Sequence, residues 1–353
     1  MIGVSASLRE AGIFAHGTPE LIRYEGHLGR YFSREYQRLL HNPESQALDT
    51  VTTNRGPMWK DTRALIENHY NAHVTPFSGF LDHEFMAYTM AYYGETAHDV
   101  ASSKLSLEEA ERNKFELVCR RAEIHGDEKI FNIGCGYGPL ETYLFTAFPK
   151  VDITSITPSP DQIDFIESCR ANTNHPISRG KLRLIQGDFS EVPLSELGDR
   201  EYDRVFSIGC FEHINNLDAV FELIDKLLKP GGLFFLHMVA SRLIVPQFLH
   251  DDKTMIGTYF PGGKIWPFEI IRRQDRFMRL SKSWFINGMN YWKTIDEWHK
   301  RLWHNMDTLY GSAIKDETEA KYWNDYFVLC KACFLPSKGE LFGNGHFVFR
   351  KKT

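Results

Sequence analysis

Apolar and polar residues alternate along the middle of this chain in short blocks that change period repeatedly. Lys129-Ile-Phe-Asn-Ile133 is a run of strand length, closed by Gly134-Cys-Gly-Tyr-Gly138, and a helical pattern follows to about residue 148. The same order recurs with a strand at 151–156 and a helix at 161–172, then strands at 182–186 and 202–208 and a helix at 217–228. Lys229-Pro-Gly-Gly232 punctuates the chain before a last apolar run at 233–238. Strands separated by helices of this length are βαβ units, so the pattern predicts an α/β fold, a doubly wound, mostly parallel sheet, over 115–245.

The flanks read differently. Residues 1–61 show no clear repeat. Asn42-Pro43 and Asn54-Arg55-Gly56-Pro57 look like loops between short helical stretches, and this N-terminal helical extension suits a cap or a dimer contact. From 62 the pattern turns helical, with Leu65, Ile66 and Tyr70 spaced for one face, so 62–114 is expected as a helical cap. Ser106-Leu-Glu-Glu109 resembles a capping box ahead of a helix over 110–122. The stretch 246–330 reads as an aromatic-rich, partly helical insertion before the last strand, roofing a pocket. Residues 331–353 complete the sheet, with Gly345-His-Phe-Val-Phe-Arg350 alternating like an edge strand.

Composition narrows the function. The chain has 353 residues, 41 basic against 46 acidic, and its basic residues are scattered, so the counterion release that drives duplex binding has no footprint and no nucleic-acid partner is expected. The most apolar window, 233–249, contains His237, Arg242 and Pro246 and cannot cross a bilayer as a simple helix. Arg9 and Glu10 stand where an export signal needs an apolar run. Six widely spaced cysteines argue against a disulfide framework and for a reducing, cytoplasmic setting. The isolated Cys330-x-x-Cys333 lacks the second pair or neighbouring His that a metal site needs, so no metal is expected. Aromatics make 14% of the chain and crowd outside its central third.

The glycine turn is where backbone N–H groups can approach a ligand at the carboxyl end of a parallel strand. Gly134, Gly136 and Gly138 permit that approach, although the spacing alone names no ligand. No lysine follows, which excludes a P-loop, and the second strand end lacks the ribose acid usual for NAD. That strand end instead offers Thr157, Ser159 and Gln162 to a ribose, and the third offers Asp188 and Phe189 to a base.

Taken together, these motifs resemble the class I S-adenosylmethionine (SAM) methyltransferases of Rossmann-like fold, and within them the cyclopropane-fatty-acyl synthase branch that includes coclaurine-type N-methyltransferases. The resemblance covers about 62–350. It is carried by Asn68-His-Tyr70, Ala87-Tyr-Thr-Met-Ala-Tyr-Tyr93, Leu105 to Glu109, Asn132 to Gly138, Thr157-x-Ser159-x-x-Gln162, Gly187-Asp188, Ile208-Gly-Cys-Phe-Glu-His213, Lys229 to Gly232, His237, Phe260-Pro-Gly-Gly263 and Tyr291. It implies SAM as cofactor. Tyr88 and Thr89 would cover its methionine part, with His69 and Tyr70 structural or covering. Gly134, Cys135 and Gly136 would approach the amino acid moiety, Thr157 and Gln162 the ribose, and Asp188 and Phe189 the adenine.

Two residues depart from the family. Asn132 replaces a usual Asp beside the cofactor ammonium, and Met90 replaces the Cys that helps seat bicarbonate in cyclopropane synthases. The other bicarbonate-site groups are Glu212, His237 and Tyr291, with Val239 for an Ile. In the N-methylating relatives a Glu-His pair, here Glu212 and His213, orients or deprotonates an amine. Against these readings stand a charged residue paired for structure at Glu212, a helix-start residue at His213, a satisfied core histidine at His237 and plain packing at Tyr291. Aromatic faces would stabilise the sulfonium of the donor and a cationic acceptor.

The reading is a SAM-dependent methyltransferase acting on nitrogen or carbon of a small, largely apolar or lipid-like substrate. The rivals are a cyclopropane synthase on acyl chains, a SAM-consuming cyclase releasing methylthioadenosine, and a non-catalytic scaffold subunit.

Overall fold

The computed structural model describes residues 4–59, 74–249 and 263–352. Leu65, Ile66, the motif at 68–70, and Tyr259 with the first three residues of Phe260-Pro-Gly-Gly263 lie outside them.

Eight strands form one sheet. β2 (Lys129–Ile133), β3 (Asp152–Thr157), β4 (Lys181–Gln186), β5 (Tyr202–Ile208), β7 (Leu228–Ser241), β9 (Met278–Asn287) and β10 (Phe342–Lys351) run in the order β4-β3-β2-β5-β7-β10-β9, and the two-residue β8 (Trp266–Pro267) joins β7. The pairs from β4 to β7 are parallel, while β10 is antiparallel to both its neighbours. Strand order reverses between β2 and β5, which opens a crevice at their carboxyl ends. Long helices cover the faces: α1 (Pro19–Leu40), α2 (Leu107–Arg121), α3 (Pro139–Ala147), α4 (Pro160–Ala171), α5 (Leu217–Leu227), α6 (Met289–His304) and α7 (Glu317–Phe334). The doubly wound α/β architecture expected from the pattern is the one observed. The capping box at Ser106 and Glu109 closes on both sides, satisfying two N–H groups at the start of α2.

Several local expectations fail for identifiable reasons. The terminal strand is an interior one. β10 lies between β7 and β9 with Phe342 to Phe349 buried, and the residues that look like its polar face, Asn344 and His346, are buried polar partners of β7 and α2. The edge belongs to β9, so 246–330 is part sheet as well as roof. Near the N-terminus α1 runs for 22 residues, capped by Thr18, in place of short helical stretches. The presumed loop at 54–57 forms β1 (Asn54–Trp59), paired with β6 (Ile214–Asn216) in a two-stranded sheet that tolerates Pro57. Strand β7 takes in the Lys229-Pro-Gly-Gly232 segment because Leu228 already pairs with Tyr202 across a register shift.

The segment holding Tyr88 and Thr89 is irregular rather than helical. Side chains there replace helical hydrogen bonds. Asp82 accepts from the N–H groups of Phe85 and Ala87, Thr294 from Ala91, and Asn290 from Tyr93 and Gly94. The last two partners sit on α6, so the segment is fastened over the strand ends by the roof.

Candidate functional site

Two cavities meet at the carboxyl rim of the sheet. The first, about 1150 Å³ including its open mouth, is lined by Asn132, Gly134, Cys135, Gly136, Thr157, Ser159, Gln162, Asp188, Phe189 and His213. The second, about 970 Å³, is lined by Glu212, His237, Val239, Tyr291, Asn344 and an aromatic wall of Trp298, Tyr326 and Phe334. Tyr88, Thr89 and Gly209 line both. The fourteen residues expected to act in catalysis or to hold the cofactor therefore all border one cavity or the other.

The β2–α3 turn is built as a cradle. Gly134, Gly136 and Gly138 all have positive φ, and a Cβ on Gly136 would stand in open space, so nothing fills the approach to its backbone. Behind the turn, Asn132 donates to Glu141 Oε1 at 2.7 Å, and Ser155 donates to the same oxygen at 2.5 Å. Glu141 is fully buried, and burial raises its pKa. A carboxyl group thus lies one residue behind the position where the usual Asp is missing. Asn132 Oδ1 is buried without a partner beside the cavity. Around the ribose-side wall, Thr157 donates to Gln162 Oε1 at 2.6 Å, leaving the Gln162 amide hydrogens to other partners, while Ser159 Oγ caps α4 by accepting from Gln162 N. Asp188 Oδ1 accepts from Ser190 N and Oγ.

Glu212 and His213 are adjacent in sequence but face different cavities. His213 borders the first, near Trp59, and Glu212 borders the second. Glu212 Oε1 accepts from Val239 N at 2.7 Å, whereas its buried Oε2 has no partner among the described residues. Desolvation pushes its pKa up to about 7 against the bond from Val239. His237 contacts His346 Nε2 through Nδ1 at 2.7 Å and the Asn344 amide through Nε2 at 3.0 Å. Burial holds its pKa well below the ordinary histidine range, with the charges of Lys114 and Arg121 acting the same way. Tyr291 packs against Phe334 at 4.9 Å, and Tyr88 donates to Tyr326 at 3.0 Å across the neck between the cavities. Met90 is buried with Leu117 and Ile286 and borders neither cavity.

Residue-level reading missed Lys114, Tyr326, Asn344 and His346. Lys114 is fully buried on α2, ion-paired to Glu111, and donates to Thr89 Oγ1 at 2.8 Å. Its only sequence signal is the Glu111-x-x-Lys114 spacing, which on any exposed helix means a surface pair. Asn344 and His346 come from a strand whose neighbour in space lies about a hundred residues earlier.

Similarity to known proteins identifies the family. The family model for mycolic acid cyclopropane synthetase matches residues 59–342. The chain is 24% identical over 263 residues to (S)-coclaurine N-methyltransferase of Thalictrum flavum subsp. glaucum, covering 70% of each protein. It is 26% identical over 239 residues to the cyclopropane-fatty-acyl-phospholipid synthase of Escherichia coli K12, spanning 67% of this chain and 56% of that one. The crystal structure of a coclaurine N-methyltransferase bound to N-methylheliamine and SAH superposes with TM-score 0.72 at 21% identity, over 98% of this chain and 92% of that one. With a glycine cradle opening onto a buried carboxylate in an aromatic chamber, and a family match over most of its length, this chain belongs to the mycolic acid cyclopropane synthetase family of SAM-dependent methyltransferases.

Proposed function

We propose that the chain transfers the methyl group of SAM to an amine nitrogen of a small, largely apolar acceptor held in the second cavity. The observation that carries the choice of atom is the Oε2 of Glu212, buried and without a partner among the described residues, in a chamber walled by aromatic rings. A buried carboxylate with a pKa near 7 can draw a proton from a bound ammonium and stabilise the cation on either side of that step.

When bound, SAM supplies an electrophilic methyl group on a cationic sulfur. The first cavity fits it. The Gly134 to Gly136 backbone lies open to the amino acid end, and the orphan Asn132 Oδ1 is an acceptor for its ammonium. Gln162 and Thr157 serve the ribose, and Asp188 and Phe189 the adenine. Ser159 acts mainly by capping the helix that carries Gln162. Tyr88, Thr89 and Gly209 mark the neck at which acceptor and methyl group meet. Glu212 takes the proton, Tyr291 and the aromatic wall hold the cationic acceptor, and His213 stays with the cofactor side. Orientation in a desolvated chamber does most of the remaining work.

A second reading, alkylation of an unsaturated acyl carbon, is favoured by the gathering of Glu212, His237 and Tyr291 around one chamber. Against it, Met90 replaces the bicarbonate-seating Cys and is buried out of reach. Incubation with SAM and a panel of secondary and tertiary amines, followed by mass spectrometry, decides. S-adenosylhomocysteine and an acceptor heavier by one methyl group support the proposal. A bicarbonate-dependent gain of one methylene on phospholipid acyl chains overturns it, and methylthioadenosine formed without acceptor indicates a cyclase.

The proposal includes a cytoplasmic setting, supported by six free thiols, and among the described residues no helix is long and apolar enough to cross a membrane. A homodimer through residues 1–61 is also part of it, to be tested by light scattering.

A further inference from the structure

Behind the acceptor chamber runs a chain of side chains whose hydrogens can be ordered by counting donors. Arg121, on α2, places Nη1 2.8 Å from His346 Nδ1, and its guanidinium stacks on Trp284 of β9 at 4.3 Å. Arginine only donates, so His346 Nδ1 must be the bare, accepting nitrogen. A neutral His346 then carries its hydrogen on Nε2, which points at His237 Nδ1, 2.7 Å away. That nitrogen in turn must accept. A neutral His237 therefore bears its hydrogen on Nε2, on the side it shares with Asn344, and both of these residues line the chamber.

The Asn344 amide is oriented by the same ordering. It meets His237 Nε2 at 3.0 Å through Nδ2, while its buried Oδ1 has no partner. The two ends of an amide are distinguished by their hydrogen bonds. Turning this one by 180° brings Oδ1 to the Nε2–H and places the NH2 group where the oxygen stood.

We propose that Arg121 and His346 are positioning residues that fix His237 as a donor, its Nε2–H directed to Asn344 at the chamber wall, with no lone pair available to take a proton. Glu212 is then the proton acceptor of the reaction, and His237 holds the Asn344 amide in place at the chamber wall. The inference rests on the reading of the second cavity as the acceptor site. The charged and titratable groups around His237 are Arg121 and Lys114 from α2, His346 from β10, and Glu212, Lys264 and the tyrosines and cysteines that line the chamber. Two fixed cations and complete burial keep both rings neutral.

Long-range ¹H–¹⁵N correlation of histidine-labelled protein tests it without substrate. Wild type is expected to show Nε2–H neutral signatures for both His237 and His346, unchanged from pH 6 to 9. Arg121→Lys, which still donates, keeps them. Arg121→Met, at a partly exposed position that leaves the β-sheet intact, and His346→Phe release His237 into a tautomer mixture and lower kcat about tenfold with KM for SAM unchanged. A His237 Nδ1–H or imidazolium signature in wild type, or an unaltered tautomer in Arg121→Met, overturns the proposal. The kinetic arm compares His237→Gln, whose amide still donates, with Glu212→Gln. Loss of less than about tenfold in the former and more than a hundredfold in the latter is expected, and the reverse order overturns it. If the tautomers are as stated but no amine is methylated, the wiring stands and the assignment of the acceptor falls.

Discussion

At the scale of single residues, Glu212 decides most. Its carboxyl group is desolvated, half-satisfied and open to the chamber, so its loss should remove proton acceptance while leaving the cofactor cradle intact. Glu212→Gln is expected to slow turnover by about 10²–10⁴-fold, with SAM affinity measured by calorimetry within twofold of wild type. Wild-type kcat should rise through pH 7, and that limb should be missing from the variant. Stability gives the opposite sign. The folded pKa of about 7 lies above the 4.5 of an unfolded glutamate, so the native state binds the extra proton. Stability associated with this group is full below pH 4.5 and is lost as pH rises to 7. Urea titrations should therefore find Glu212→Gln more stable than wild type by about 3 kcal/mol at pH 8, with the difference vanishing near pH 4.

At the scale of elements, α2 does two jobs: it covers the sheet and props the neck between the cavities through Lys114 and Thr89. Burial pushes Glu111 up to about 8 even beside Lys114, so Lys114→Met leaves it protonated, fully buried and without its partner, which should cost about 1–3 kcal/mol and weaken SAM binding as Thr89 loses its partner. The double variant Lys114→Met, Glu111→Leu should recover most of the stability but little of the affinity, and parallel denaturation and calorimetry would separate the two. These elements also show what sequence can reveal. Strands β2 to β5 and the glycine turn were legible because each βα unit writes its own period and punctuation locally, and Glu212 and Asp188 were legible because they stand at strand ends. Lys114 and His346 were not. A helical lysine reads as solvated until a neighbouring segment is laid over it, and an alternating His and Asn read as a solvent face until β9 takes the edge. Residues 84–95 misled for a related reason: the donors that hold this segment irregular are answered by Asn290 and Thr294, about two hundred residues away.

At the scale of the whole molecule, α1 and the roof are joined by one cation. Lys331 on α7 is 1% exposed and reaches Glu25 on α1 at 2.5 Å and Asp296 on α6 at 2.9 Å; His16 meets the same aspartate. The neighbouring turns of α7 carry Tyr326, Cys330 and Phe334 into the chamber wall. Lys331→Met should lower unfolding free energy by about 2 kcal/mol, the carboxylates being partly solvated. It should also raise KM for the acceptor more than for SAM, because only the roof of the second cavity shifts. A uniform loss of both affinities would show that the clamp holds the sheet rather than the roof.

The interior place of β10 has a temporal consequence. His237 and His346 are 109 residues apart in the chain yet share a hydrogen bond. Until residue 351 leaves the ribosome, β7 keeps an open edge with an unmatched apolar flank, and β9 has no neighbour to dock upon. Such late, distant pairing makes for slow maturation and an aggregation-prone nascent intermediate. On the proposed reading, methyl transfer therefore cannot begin before the strand that supplies His346 and Asn344 has joined the sheet.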